Sequence, residues 1–306
     1  MVEIRSVKDE RELERVFFIL DRAFRRTRAD YFIRRTTIGK HDYDFWQTRV
    51  LVLDGEIVST VEIFPSEIWF EGKKIKNAGI GSVATDPDFQ GRGFGLQIVR
   101  DTNRVAKERG FQVATLFTSI FDFYAKAEYF RVTYPYYEIG EVGSIPNGKH
   151  ILTFMPRYVD DILRIHADYN RPLIGPVVKS RDWLMRSFAY LNEDTWLFLM
   201  AVGKDGITGY IRAREFKNTI EVLEFASLTP DEDLALFVPE LRKRGSFQRI
   251  FINLSNYEKS RISNVELIPR GTYSMMFALL DEGFMDREEF VEKFRERGNF
   301  WLSDLY

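Results

Sequence analysis

The sequence of 306 residues predicts an α+β fold in which one layout occurs twice. Three observations lead to this prediction: an amphipathic helix near the start, β-rich segments joined by tight-turn dipeptides, and a glycine-rich loop between a strand and a helix. The length suits one large domain or two ordinary ones. We therefore expect tandem, mostly antiparallel mixed sheets flanked by helices.

The first half begins with an expected helix over residues 8–25, because Leu13, Val16 and Leu20 recur at helical spacing. Strands follow, with hairpin turns expected at Asp54-Gly55 and Glu71-Gly72. The expected strands cover residues 50–53, 56–64, 66–70 and 75–85. After the loop at 91–95, we expect a helix to about residue 109, a strand over 112–118 and a short helical segment within 120–130.

The second half repeats this order after a linker rich in Tyr, Gly and Pro, expected over residues 134–150. Its expected helices cover residues 157–169, 180–191 and 231–243, and its strands cover 196–202, 207–214, 219–227 and 249–254. No glycine lies between Phe225 and Arg244, so this copy lacks a phosphate loop. The sequence thus predicts domains at 1–145 and 146–306, the second being a degenerate copy with a short C-terminal extension.

Composition excludes several classes of function. The net charge of −2 and pI near 6.1 give no global basic surface for nucleic acid. The absence of cysteine excludes disulfides, thiolate metal ligands and a cysteine nucleophile. Three histidines, at 41, 150 and 166, show no ligand spacing, so no metal is expected. A charged N-terminus and the lack of a long apolar run predict a cytoplasmic protein without membrane contact.

The segment Gln90-Gly91-Arg92-Gly93-Phe94-Gly95 carries the strongest chemical signal. Glycines at a strand–helix junction let the backbone approach a ligand and point its amides inward. Those amides, with the helix dipole, form an anion site suited to a pyrophosphate. A Rossmann loop needs different glycine spacing, a Walker loop needs Gly-Lys-Ser/Thr, and a simple capped turn does not need the whole pattern.

This segment resembles the Q/R-x-x-G-x-G/A signature of the GNAT superfamily of N-acetyltransferases, which it matches at Gln90, Gly93 and Gly95. Residues 82–87 are similar to that family's central strand, whose backbone pairs with the pantetheine arm of acetyl-CoA. The resemblance implies acetyl-CoA as cosubstrate. The implied cofactor-binding residues are Val83, Ala84, Thr85, Gln90, Gly91, Arg92, Gly93, Phe94 and Gly95.

The segment from Phe123 to Phe130 resembles the family's aromatic-Tyr motif near the thioester. Tyr124 would then be the general acid that protonates the leaving thiolate, since a phenol is a neutral proton donor at pH 7. The alternative for Tyr124 is a packing role in the core. The family pattern often has glycine where Glu128 or Tyr129 stands, so the local turn is expected to differ.

The whole layout is most similar to the enhanced-intracellular-survival-like branch, which has two GNAT-type domains and a sterol-carrier-like third domain. Residues 275–281 look like the start of that third domain, yet about 25 residues are too few to make one. In that branch a terminal carboxylate is the general base. Here the candidates are Glu62, Asp122 and the Tyr306 carboxylate, without a preference.

The resemblance implies direct transfer of the acetyl group to a primary amine, either on a small molecule or on a lysine side chain. The oligomeric state stays open, with a homo-oligomer among the alternatives. Two rival functions remain: a non-catalytic acyl-CoA sensor, and an aminoacyl or fatty-acyl transferase on the same fold.

Overall fold

A computed structural model describes residues 1–24, 42–191 and 195–304. The first-half elements are β1 (Val2–Ser6), α1 (Glu10–Phe24), β2 (Thr48–Leu53), β3 (Glu56–Phe70), β4 (Lys73–Thr85), α2 (Phe94–Glu108), β5 (Val113–Leu116), α3 (Phe121–Ala125) and β6 (Phe130–Val142). The α+β class is confirmed. In the described residues, no helix is long and apolar enough to cross a membrane.

The second half has the same alternation of strands and helices. Its elements are β7 (His150–Thr153), α4 (Val159–Asn170), β8 (Ile174–Val177), α5 (Arg181–Leu191), β9 (Phe198–Gly203), β10 (Gly206–Phe216), β11 (Thr219–Ser227), α6 (Pro230–Arg244), β12 (Ile250–Asn253), α7 (Asn256–Lys259), β13 (Val265–Leu279) and α8 (Arg287–Arg297).

Local turn chemistry builds the first meander as expected. Asp54-Gly55 and Glu71-Gly72 all have positive φ, the conformation of a two-residue hairpin turn. β3 pairs with β4 from Ser59 to Phe70 without ending at Pro65, so the two strands expected at 56–64 and 66–70 are one.

A single continuous sheet spans both halves of the described chain, in the order β1-β2-β3-β4-β5-β13-β6-β12-β11-β10-β9-β7, with β8 beside β3. β13 lies between β5 and β6. Residues 275–279, which resembled the start of a third domain, thus form part of this sheet. The linker expected over 134–150 is also strand as far as Val142, because Tyr134, Tyr137 and Ile139 point into the core.

Strands β4 and β5 diverge soon after they meet. They pair in parallel only from Asn77 to Gly79 on β4, while β4 continues to Thr85. A β-bulge at this point, where the register with β3 shifts between Thr60 and Glu62, increases the local bend. We call this divergence the first splay. Helix α2 packs below it, burying Ile98, Val99 and Ala106.

Strands β11 and β12 repeat this arrangement in the second half. They pair in parallel only at Ile220 and Glu221, whereas β11 continues to Ser227. The register between β10 and β11 also shifts, after Arg212. We call this divergence the second splay.

Candidate functional site

An open cleft of about 470 Å³ lies at the first splay, and we call it the β4–β5 cleft. The predicted residues that line it are Val83, Ala84, Thr85, Gln90, Gly91, Gly93, Phe94, Gly95 and Tyr124. Arg92 lies outside it, with its guanidinium 5.3 Å from the centre of the Phe89 ring. Sequence reasoning missed Phe89, Leu96, Ile120, Phe123 and Lys126. Phe123 and Lys126 lay within the aromatic motif already singled out.

The glycine loop has the backbone conformation that only glycine adopts readily. Gly91 and Gly93 both have φ of +79°, in the left-handed region. Gly93 is also the N-cap of α2, and no side chain caps this helix end. The first amides of α2 therefore have no acceptor within the helix and are available to an anion in the cleft.

Gly95 is required for a different reason, close packing. A Cβ atom there would lie 3.3 Å from Cζ of Phe123 and 3.4 Å from Oγ1 of Thr85. The absence of a side chain brings the first turn of α2 against both the end of β4 and α3. This approach sets the width of the cleft.

A buried carboxylate fixes the loop that connects β4 to α2. Asp86 is 1% exposed and accepts hydrogen bonds from Arg15 at 2.9 Å and Arg22 at 2.6 Å, both on α1. Asp86 also accepts a bond from the backbone amide of Asp88 at 3.2 Å. Gln90 donates to the carbonyl of Thr85 at 3.1 Å. These contacts hold the end of β4 and the glycine loop in one orientation.

Beyond Gly79, the edge of β4 that faces the cleft has no neighbouring strand among the described residues. Unpaired strand edges are the backbone groups to which an extended ligand can add as a further strand. At the bulge, Ser82 has φ of +49°, and its hydroxyl donates to Glu62 Oε2 at 2.9 Å. The bulge thus couples the cleft edge of β4 to a buried carboxylate on β3.

Tyr124 closes one wall of the cleft from α3. Its ring meets those of Phe123 and Tyr129 edge to face, at 4.9 and 5.9 Å between centroids. Burial raises the pKa of Tyr124 to about 12. Its hydroxyl has no hydrogen-bond partner in the described part of the chain, and it is not sealed from solvent. The phenol is therefore protonated at neutral pH and free to donate into the cleft.

The turn after α3 places a residue other than glycine in a backbone conformation that favours glycine. Glu128 has φ of +69°, the left-handed region that usually carries glycine.

The three base candidates have different environments. Glu62 is buried on β3, in register with Gly81 at the start of the splay. Asp122 is exposed on α3. Tyr306 lies outside the described residues. In the part of the chain that the structure describes, no group of His, Asp and Glu side chains is arranged to hold a metal ion.

Residues 3–131 match the family model of the acetyltransferase (GNAT) domain. This segment is a GNAT acetyltransferase domain. It spans β1 to the start of β6 and includes the whole β4–β5 cleft. The match covers less than half of the chain and supports an acyltransferase function for this segment. No curated protein matches the sequence significantly.

Solved structures extend the likeness over both halves. A GCN5-related N-acetyltransferase from Anabaena variabilis has a TM-score of 0.72 at 15% identity, covering 92% of this chain and 73% of that one. Eis1 from Mycobacterium abscessus has a TM-score of 0.66 at 17% identity, covering 92% and 74%. At such identities these matches show the fold, and they confirm the resemblance to the tandem branch at that level.

A more distant match carries a ligand. Saccharomyces cerevisiae N-myristoyltransferase with bound myristoyl-CoA has a TM-score of 0.53 at 11% identity, covering 90% of this chain and 82% of that one. One of the proteins with this fold therefore binds an acyl-CoA.

Proposed function

We propose that the protein transfers an acetyl group from acetyl-CoA directly to a primary amine, with both substrates bound together. One observation carries the proposal: the β4–β5 cleft combines an unpaired strand edge, an uncapped helix N-terminus and a phenol that is protonated at neutral pH. We assign this site to a catalytic domain at residues 1–145. We also propose that the protein acts in the cytoplasm. Residues 146–306 would be the degenerate second copy.

The cleft offers each part of acetyl-CoA a matching surface. The pyrophosphate would lie on the amides of Gly91 to Gly95 at the start of α2. The pantetheine amides would pair with the β4 edge along Val83, Ala84 and Thr85, in the manner of an added strand. Gln90 holds the carbonyl of Thr85 and so orients this edge. Arg92, outside the cleft, would contact the phosphates only from the rim.

The transfer would begin with attack of the neutral amine on the thioester carbonyl carbon. Backbone amides at the β4 bulge would stabilise the oxyanion that forms. The carbon–sulfur bond then breaks, and Tyr124 donates its proton to the departing sulfur. The acylated nitrogen releases its extra proton to solvent, and Tyr124 regains one proton from solvent. Because a phenol with a pKa of about 12 stays protonated up to strongly alkaline pH, the donor is present throughout the neutral range. A chain without cysteine is suited to this route, which has no thiol acyl-enzyme.

Glu62 is the base candidate that the geometry favours. It lies one strand from the cleft edge and is tied to the bulge through Ser82, whereas Asp122 is exposed on α3 and does not line the cleft. A carboxylate at this position would accept a proton from the ammonium form of the acceptor before attack.

The test is CoA release from acetyl-CoA across a panel of amines, including a small polyamine, an aminoglycoside and a lysine peptide. We expect release with at least one amine and its loss in Tyr124→Phe. Acetyl-CoA binding without release across the panel would favour the sensor. Release from myristoyl-CoA but not from acetyl-CoA would favour the fatty-acyl transferase, to which Phe89, Phe94 and Phe123 would offer an apolar surface in the cleft.

A further inference from the structure

The bulge in β4 has a serine at the position where such bulges usually have glycine. β4 has two residues, Ser82 and Val83, where β3 has one, Val61. Ser82, the first of the two, has φ of +49°, in the left-handed region. Bulges of this kind favour glycine there, because a side chain makes the conformation costly. The chain accepts this cost although glycine stands next to it at residue 81, which points to a role for the serine side chain.

The side chain of Ser82 bonds to a buried carboxylate. Its hydroxyl donates to Oε2 of Glu62 at 2.9 Å, and both residues are only 7% exposed. A buried carboxylate that keeps its charge needs hydrogen-bond donors, and a bond to an ionised group is stronger than one between neutral groups. The contact therefore fixes the orientation of Glu62 as well as compensating for its burial.

This contact lies where the first splay begins. Glu62 is in register with Gly81, and β4 stops pairing with β5 just before that point, at Gly79. In a regular strand, the side chain after Gly81 would point to the opposite face of the sheet from Glu62. The bulge turns the hydroxyl of Ser82 to Glu62 instead, while Val83 lines the β4–β5 cleft. One local distortion thus serves both the cleft edge and the carboxylate.

We propose that Ser82 is a positioning residue, which holds the carboxylate of Glu62 in the orientation that accepts a proton from the acceptor amine. This inference rests on the proposed function, with Glu62 as its base. An N–H bond of the ammonium group breaks, the proton moves to a carboxylate oxygen of Glu62, and the nitrogen keeps the electron pair that attacks the thioester. Glu62 later releases the proton to solvent. The hydroxyl of Ser82 acts through Glu62 and not on either substrate.

The test uses Ser82→Gly in the full chain, because glycine adopts the bulge conformation without strain and keeps its backbone amides. With the panel amine that gives the fastest CoA release, we expect kcat to fall about 10- to 100-fold, the scale of one hydrogen bond to a charged group. Acetyl-CoA affinity, measured by calorimetry, should hardly change. The matched control is Ser66→Ala. The hydroxyl of Ser66 accepts a bond from Asn77 at 3.0 Å between the same two strands, so its loss should leave kcat unchanged.

A double variant separates positioning from a purely structural role. Glu62→Gln alone should lower kcat by about 10²–10⁴. Ser82→Gly should lower it no further in that background, since the hydroxyl acts only through the carboxylate. Additive losses, an unchanged kcat in Ser82→Gly, or full activity in Glu62→Gln would each overturn this inference and leave the acetyl-CoA site and Tyr124 in place.

A fall in acetyl-CoA affinity as large as the fall in kcat would also overturn it, because Ser82 would then shape the cofactor edge of β4. Failure of every panel amine to release CoA would instead reject the proposed function, and with it this inference. Circular dichroism melting of each variant separates lost contacts from lost folding.

Discussion

The two splays share a backbone arrangement but differ in what occupies them. Beyond Gly79 the first splay is open to solvent, as the β4–β5 cleft. In the second splay, β11 carries Glu224, which is fully buried, beyond the point where its pairing with β12 ends. Glu224 accepts hydrogen bonds from Arg212 at 3.0 Å, Ser303 at 2.8 Å and Lys179. A sheet that diverges therefore offers room for a ligand only where the chain leaves the gap empty.

The helices that follow the two splays show the same contrast. No side chain caps the N-terminus of α2, which follows Gly93, whereas the first turn of α6 contains three carboxylates. Asp233 is buried there and accepts bonds from Lys149 at 2.7 Å, Thr208 at 3.0 Å and Ser227 at 2.6 Å. The second helix thus has its own anion where the first has room for a phosphate, and this supports one cofactor site per chain.

The C-terminal segment, residues 301–304, packs against the second half of the molecule. Asp304 contacts Lys179 at 3.0 Å and accepts a bond from the amide of Val177 at 3.1 Å. Trp301 donates to Asn170 at 2.8 Å. These contacts hold residues 301–304 against the second half of the sheet and its helices.

The largest expected effect in this comparison is on catalysis at the first splay. Tyr124→Phe removes one oxygen and keeps the ring, so turnover should fall by about 10²–10⁴ while acetyl-CoA affinity and melting temperature hardly change. The control is Tyr129→Phe, whose hydroxyl donates to Asn103 at 2.7 Å. That variant should lose about 1 kcal/mol of stability and keep its turnover. Full activity with an unchanged melt in Tyr124→Phe would contradict the catalytic role.

The second splay should respond in stability instead. Glu224→Leu removes the buried carboxylate that Lys179 and Arg212 share, and we expect a loss of about 3–5 kcal/mol in unfolding free energy. Glu221→Leu on the same strand breaks only a partly exposed contact with Arg214 at 2.8 Å, which is expected to contribute under about 1 kcal/mol. Urea denaturation measures both. Equal losses would show that the buried cluster has no special role.

A smaller effect should appear as pH dependence in the second half. Burial raises the pKa of Glu258 from its ordinary value of 4.5 to about 7, although bonds from Ser255 and Asn299 favour its charged form. Because the folded state binds this proton more tightly than the unfolded state, stability is greatest below pH 4.5 and falls as pH rises through about 7.

We expect the wild-type protein to lose roughly 1–3 kcal/mol of stability from this group between pH 5 and 8. Glu258→Gln cannot ionise, so urea midpoints at the two pH values should move closer together in this variant. An unchanged pH dependence would show that Glu258 does not titrate in this range.

Much of the first splay could be predicted from the sequence because its signals are local. The turn dipeptides at 54–55 and 71–72, and the glycines at 91–95, specify backbone conformation within a few residues. The position of β13 could not be predicted in this way. Leu279 pairs with Val113, far away in sequence, and an apolar run shows that it is buried but not which strand it joins.

The contacts of Asp86 illustrate a second limit. A sequence shows Arg15 and Arg22 as charges on the polar side of a helix, and a charged helix face is normally solvated. Only the packing of α1 against the end of β4 turns both into partners of one buried carboxylate. Likewise, Ser82 and Glu62 become partners only through the bulge in β4.

The difference between the splays is tested most directly by the number of acetyl-CoA molecules that one chain binds. Calorimetric titration should give one site per chain with micromolar affinity, roughly −8 kcal/mol. Gly93→Glu should abolish binding, because it puts a carboxylate at the anion site. Gly110→Glu, at the other end of α2, has a matching φ of +77° and open surroundings, so it should bind normally. Two sites per chain, or unchanged binding in a folded Gly93→Glu protein, would contradict the account.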